Sequence, residues 1–174
     1  GAGSDDTALV LRAAANAELS SALDRPATTL IAQAPGIARD ARGRPIASAE
    51  VVVVASVPKR ATGTDANLEI RGVGPAAWSI RPQVRLIEGR RFEPGLRELI
   101  VGEGARRQFS GLEIGARLEL NNQDWRIVGV FASGDTHESE VWGDAESIAA
   151  AYRRNGFQSV AVRLTAPAAL EPLR

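Results

Sequence analysis

With 174 residues, 44% of them apolar and 24% charged, the chain is long enough for one domain with its own hydrophobic core and room for a smaller lobe. Basic and acidic residues number 21 each, so no net field draws the chain to nucleic acid or an anionic surface. Cysteine is absent, which excludes disulfides, thiol nucleophiles and cysteine-ligated metals, and no apolar run approaches the ~20 residues that span a bilayer.

Methionine is absent as well, including at position 1, which reads as a fragment or a processed form. No signal peptide is visible, and the chain reads as soluble as it stands. Lys59 is the single lysine, and arginine supplies the other basic residues. With abundant alanine and glycine, that bias points to a GC-rich genome and says little about partners.

Residues 1–6 read as a polar lead and residues 7–12, TALVLR, as a first strand, with helix the rival reading because alanines follow. Asp24 is placed to cap a helix over residues 26–34 with Pro26 in its first turn. Leu30, Ile31 and Ala34 fall on one side of that helix, and Pro35-Gly36 stops it. Residues 40–45 form a charged turn. Residues 49–57, AEVVVVASV, are the clearest strand, because consecutive valines are stiff at χ1 and suit burial on both faces. Residues 58–65, PKRATGTD, predict an exposed, mobile loop and the first point of tryptic attack, at Lys59 or Arg60. A strand over residues 67–73 ends at Gly74-Pro75, and a short helical turn over residues 76–80 carries Trp78.

Residues 81–109 form the stretch around which the rest is organised. Two apolar runs, 84–87 and 99–101, predict strands separated by charged, glycine-rich turns, and residues 103–109 predict a short helix. Residues 116–120 and 125–131 read as strands joined at Asn121-Asn122-Gln123-Asp124. Trp125, Ile127 and Phe131 share one face by period two, and Val128 and Val130 the other, so this strand is expected to be covered on both sides. Residues 133–139 form a loop and Val141-Trp142 an extended segment. Asp144 caps a helix over residues 145–154 that carries Ile148, Ala151 and Tyr152 at helical spacing, with Gly156 ending it. Residues 158–164 make a closing strand, and a further helix begins at Ala166.

The search for chemistry finds no catalytic constellation. Asp135, His137, Glu138 and Glu140 crowd together, but neighbours in a loop do not converge on a metal and no HExxH spacing is present, so a solvated loop is the expectation. Gly102-Glu103-Gly104 opens a helix after a strand but lacks GxGxxG and a Walker lysine, and reads as a strand-to-helix turn. Ser20, Ser21, Ser110 and Thr136 lack a GxSxG setting or a triad around the one histidine. Arg81, Arg85, Arg90, Arg91, Arg97, Arg106 and Arg107 are interleaved with glutamates and read as an exposed, ion-paired surface. The tryptophans at 78, 125 and 142 read as packing. No catalytic residue, cofactor site or metal site is assigned.

The order of short motifs says more than any one of them. Leu68-Glu69-Ile70-Arg71-Gly72-Val73 is followed by Ile87-Glu88-Gly89-Arg90-Arg91-Phe92 and Glu98-Leu99-Ile100-Val101-Gly102. Ala105, Gln108-Phe109, Gly115, Leu118 and Trp125-Arg126-Ile127-Val128-Gly129-Val130-Phe131 continue the series. This resembles the extracytoplasmic core domain of MacB-type, FtsX-like ABC transporter permeases over residues 67–130. The resemblance implies an α+β fold, with a porter-like larger lobe of βαβ units at about 7–95 and 135–174 and a smaller, mainly-β lobe inserted at about 96–134. It implies a non-catalytic domain of an inner-membrane permease, facing the periplasm or cell exterior and coupling ATP-driven motion to a partner or substrate. The full-length permease would be homodimeric, would work with an ABC ATPase subunit through membrane segments outside this sequence, and would meet an adaptor or cargo. Arg106, Arg107, Asn121 and Asn122 are the expected partner contacts. The alternative is a regulatory or ligand-binding module, for example of a cell-wall hydrolase, without transport; a stand-alone hydrolase is a distant third. Apolar runs of ~20 residues flanking this sequence in the parent reading frame would discriminate.

Overall fold

The computed structural model describes residues 16–154 and 156–165; the strand expected at 7–12 and the helix expected from Ala166 lie outside them. The chain divides into two compact units, one of residues 1–50, 74–81 and 155–174 and one of residues 51–73 and 82–154.

The first unit contains β1 (Asn16–Asp24), α1 (Arg25–Ala32), the opening of β2 (Ala47–Pro58), α2 (Ala77–Ile80) and β9 (Gly156–Arg163). β9 lies between β1 and β2 and is antiparallel to both, so β1–α1–β2 is a βαβ unit split by the closing strand. Helix α1 starts where the sequence places it: the Asp24 side chain accepts from Ala27 N at 2.8 Å, and Pro26 occupies the first turn. Ile31 and Ala34 pack on a cluster of Ile37, Val160, Val162 and Leu164, but Leu30 is 74% exposed and leaves the side predicted for it. The other face of β2 carries Ser48 and Glu50, both fully buried.

The second unit holds the rest of β2, β3 (Asp65–Val73), β4 (Arg85–Gly89), β5 (Glu98–Gly102), α3 (Glu103–Gln108), β6 (Arg117–Leu120), β7 (Gln123–Ala132), β8 (Val141–Asp144) and α4 (Ala145–Ala151). Its strand order is β2-β3-β8-β5-β7-β4, with β6 on β7, and two of the pairings, β3 with β8 and β5 with β7, are parallel. These units differ from the expected lobes. β5, placed in an insert at about 96–134, is hydrogen-bonded to β8, placed in the larger lobe, and both belong to the second unit. Strand pairing decides membership, and nothing in the local pattern of either segment states its partner.

Several local readings are also corrected. Val51, Val53 and Val57 are buried but Val54 is 54% exposed, so the valine strand alternates where burial on both faces was expected. β7 is buried on both faces from Ile127 to Phe131. Asn121 and Asn122 adopt φ of 48° and 68°, and Leu120 pairs with Gln123: a two-residue turn of the kind that matches strand twist. Helix α4 ends at Ala151, and the left-handed residue past it is Arg153, φ 54°; Gly156 instead opens β9.

The segment between β2 and β3 is tied down along its length. Lys59 N donates to Thr64 O and Gly63 N to Lys59 O, while Arg60 N donates to Gln108 O. The Arg60 guanidinium reaches Arg106 O, Phe109 O and Glu113, closing the C-terminal end of α3. Among the described residues, the turn at residues 40–44 is held by bonds within the turn and to Arg39. Limited trypsin digestion is therefore expected to cut after Arg42 before Lys59 or Arg60, the reverse of the order read from composition. Mass mapping of the first fragments checks this, and an initial cut at residues 59–60 would contradict the anchoring.

Candidate functional site

Arg106 and Arg107 lie on α3, which forms because a Gly-x-Gly junction lets the chain pass under a neighbouring loop. A side chain on Gly102 would collide with the Glu138 carbonyl, and Gly102 N donates to Glu140 O at 2.9 Å. The two arginines then differ. Arg106 donates to Glu88 and to Glu103, both at 2.7 Å, and the Glu88 hydrogen bond holds its guanidinium above its ordinary pKa despite partial burial. Arg107 is 67% exposed and makes a single 3.4 Å contact with the same Glu103. Asn121 and Asn122 form the β6–β7 turn, where Asn121 Nδ2 donates to Ala151 O at the end of α4. The two pairs are not gathered into one surface. Glu88 pairs with Val130 late in β7, whereas the turn lies before Gln123, about 23 Å away along the strand.

The buried acids were hidden in the sequence. Glu140, 6% exposed, receives a bidentate pair from Arg71 at 2.9 and 2.8 Å and a third bond from Trp142 Nε1 at 2.9 Å. Burial pushes its carboxyl up, but the bonds from Arg71 and Trp142 outweigh burial and hold it below its ordinary range. In the first unit, Glu50 accepts from both terminal nitrogens of Arg81, at 2.7 and 2.8 Å, and from Ser48 Oγ at 2.8 Å. Arg81, expected on the exposed surface, is 6% exposed. Only the even spacing of Ser48 and Glu50, on the face opposite Ala47 and Ala49, hinted at a polar buried row.

The acidic loop is solvated on one side only: Gly134, Thr136 and Ser139 are exposed, while His137 and Glu140 are buried. Residues Thr136–Ser139 form a 3-10 turn with Asp135 as its cap, and His137 is 8% exposed. His137 Nδ1 lies 3.0 Å from Asp135 Oδ1, and the ring stands edge-on to Trp142 at 5.8 Å. Burial raises the Asp135 carboxyl, but bonds from Ser133, His137 N and Gln83 bring it below its ordinary value. Among the described residues no group of three or more potential ligands converges on a metal position. This cluster holds β8 and the loop before it against β5 and α3, and its buried carboxylate, Glu140, is taken up by Arg71 and Trp142 inside the fold.

The motif glycines have the same character. Gly89 and Gly129 face each other across β4 and β7; a side chain on Gly89 would strike the β7 backbone at Val128 and Gly129, and one on Gly129 the backbone of Arg90 just past β4. Gly72, Gly89, Gly102 and Gly129 of the motif series thus mark close backbone approach, while Gly115 serves a left-handed turn with open space around it.

The fold is shared with proteins of known structure. The extracellular domain of the noncanonic ABC-type transporter YknZ from Gram-positive bacteria superposes with a TM-score of 0.64 at 15% identity, over 86% of this chain and 77% of that one. The periplasmic region of MacB from Actinobacillus actinomycetemcomitans gives 0.60 at 10% identity, over 84% and 66%. A domain of a putative permease protein from Porphyromonas gingivalis gives 0.56 at 17% identity, over 90% and 68%. No curated protein matches the chain. The model of the MacB-like periplasmic core domain matches residues 4–174, and the chain belongs to that family.

Proposed function

We propose that this chain is the extracytoplasmic domain of an ABC transporter permease and that it passes motion, driven by ATP hydrolysis elsewhere, to a partner or substrate outside the cytoplasm. The observation that carries the reading is the pairing of β1 with β9. Asn16 stands opposite Arg163 and Asp24 opposite Gly156, so the two ends of the described chain are neighbours in one ladder. Force entering at either end loads the same row of interstrand hydrogen bonds, which resists sliding. Such an arrangement suits a domain held at both ends by membrane segments. Among the described residues no helix is long and apolar enough to cross a membrane. The full-length permease is homodimeric in this reading, sits in the inner membrane and receives its energy from an ATPase subunit. The domain makes and breaks no bonds itself. Arg106 and Arg107 at one end of β7, and the Asn121–Asn122 turn at the other, are the contacts it offers.

The test is mechanical. A flexible Gly-Ser segment inserted ahead of Asn16, or after Thr165, in the full-length protein is expected to abolish transport while ATP hydrolysis continues. Transport that survives both insertions would remove the force-transmitting role and favour a regulatory or ligand-binding module.

A further inference from the structure

The exposed side of β4 has the anatomy of a protein interface. Ile87 is 43% exposed and sits in a β-bulge between Leu86 and Glu88, so it has no paired position on β7. Ile114 is 41% exposed, and its Cδ1 lies 2.9 Å from where a Cβ on Gly89 would be, at the end of the strand that carries Ile87. Ion pairs ring this apolar pair: Arg106 with Glu88 at 2.7 Å, and Arg60 with Glu113 at 2.8 Å. An apolar centre with a polar rim is the usual plan of a binding patch. β4 is the last strand in its unit's order, and among the described residues no strand pairs with its outer edge.

The charges around the patch name its complement. Arg106 already holds Glu103 at 2.7 Å, which leaves Arg107 a contact of 3.4 Å with a shared carboxylate. Arg85, at the start of β4, is exposed as well. The rim therefore has more positive charge than its own carboxylates take up, and it prefers an acidic occupant.

We propose that β4 is a docking edge for an extended acidic segment of a partner protein, which adds a strand to β4, lays an aliphatic side chain over Ile87 and Ile114 and sets its carboxylates against Arg107 and Arg85. The proposal rests on the permease reading and names the partner's chemistry within it. It also explains why Ile87 and Ile114 stay exposed on an edge whose neighbours are charged.

A blocked octapeptide, Glu-Ile-Glu-Val-Thr-Val-Glu-Asp, and its counterpart with lysine at each acidic position serve as probes, followed by amide NMR of the 174-residue chain. The acidic peptide is expected to shift the amides of β4, and the lysine peptide to leave them in place. Affinity is expected to fall about tenfold in the double variant Ile87→Ser with Ile114→Ser, and again in Arg107→Glu. Val54→Ser, on the opposite edge strand of the same unit, should bind as the parent does. Equal binding of the two peptides, no binding at all, or unchanged binding in both interface variants overturns the proposal. A concentration-dependent dimer in sedimentation that the double isoleucine variant abolishes also overturns it, and gives the face to a second copy. The linker insertions report separately: loss of coupling there with no peptide binding here sinks the docking edge alone.

Discussion

Glu140→Ala is expected to destabilise the chain by about 3–5 kcal/mol, because it leaves Arg71, itself 9% exposed, without the carboxylate that neutralises it inside the fold. It also strips the acceptor from the Trp142 indole, 0% exposed and in contact with Phe131 and His137. Glu140→Gln keeps the shape and an acceptor for Trp142 and loses the charge, so its cost should be smaller. The two variants bring out a pH dependence. The folded Glu140 carboxyl lies below its ordinary value near 4.5, so its contribution is present above that value and lost as pH falls through the folded one. The stability gap between parent and Glu140→Gln should therefore be full at neutral pH and narrow from about pH 5 downward. Urea denaturation across that range measures it. A gap that stays constant, or widens on acidification, would show that the carboxylate is not what stabilises the site.

That node also marks where sequence reading stopped. Elements came through where their signals are local. Asp24 and Asp144 cap helices through their side chains, Asn121-Asn122 turns a hairpin, and the apolar run of β7 is buried on both faces. The family was legible for a related reason. Most of its glycines mark points where backbone meets backbone, such as Gly89 against Gly129 and Gly102 under Glu138, and Gly115 takes a left-handed φ of 92°; both needs fix residue type at fixed spacing. Partnerships across the chain were not legible. Arg71 and Glu140 are 69 residues apart and Glu50 and Arg81 31 apart, and each looks like any surface charge until the sheet brings them together. Arg60 misled in the same way, since a polar, glycine-containing segment reads as free until its bonds to the end of α3 are seen. The unit boundaries followed suit, because whether β5 joins β8 is a matter of pairing and not of pattern.

Trp125→Ala is expected to cost about 3–5 kcal/mol, and the reason is volume more than hydrogen bonding. The residue is 0% exposed, sits opposite Leu118 across the β6–β7 hairpin and is the largest side chain in that part of the second unit. Truncation removes its burial and opens a cavity that the hairpin, held at its turn by Asn121 on Ala151 O, cannot easily collapse to fill. The indole Nε1 is buried and has no hydrogen-bond partner among the described residues. Trp125→Phe deletes that unmet donor along with part of the ring, so the two effects oppose and the net cost should be only about 1 kcal/mol. The ratio between the two variants separates packing from polarity. Reversible denaturation of both, followed through the remaining tryptophans, gives the numbers. A loss below about 1 kcal/mol for Trp125→Ala would mean the hairpin does not close over the ring. Equal losses for alanine and phenylalanine would mean that Nε1 does find an acceptor in solution and that the orphaned donor is not a feature of the folded chain.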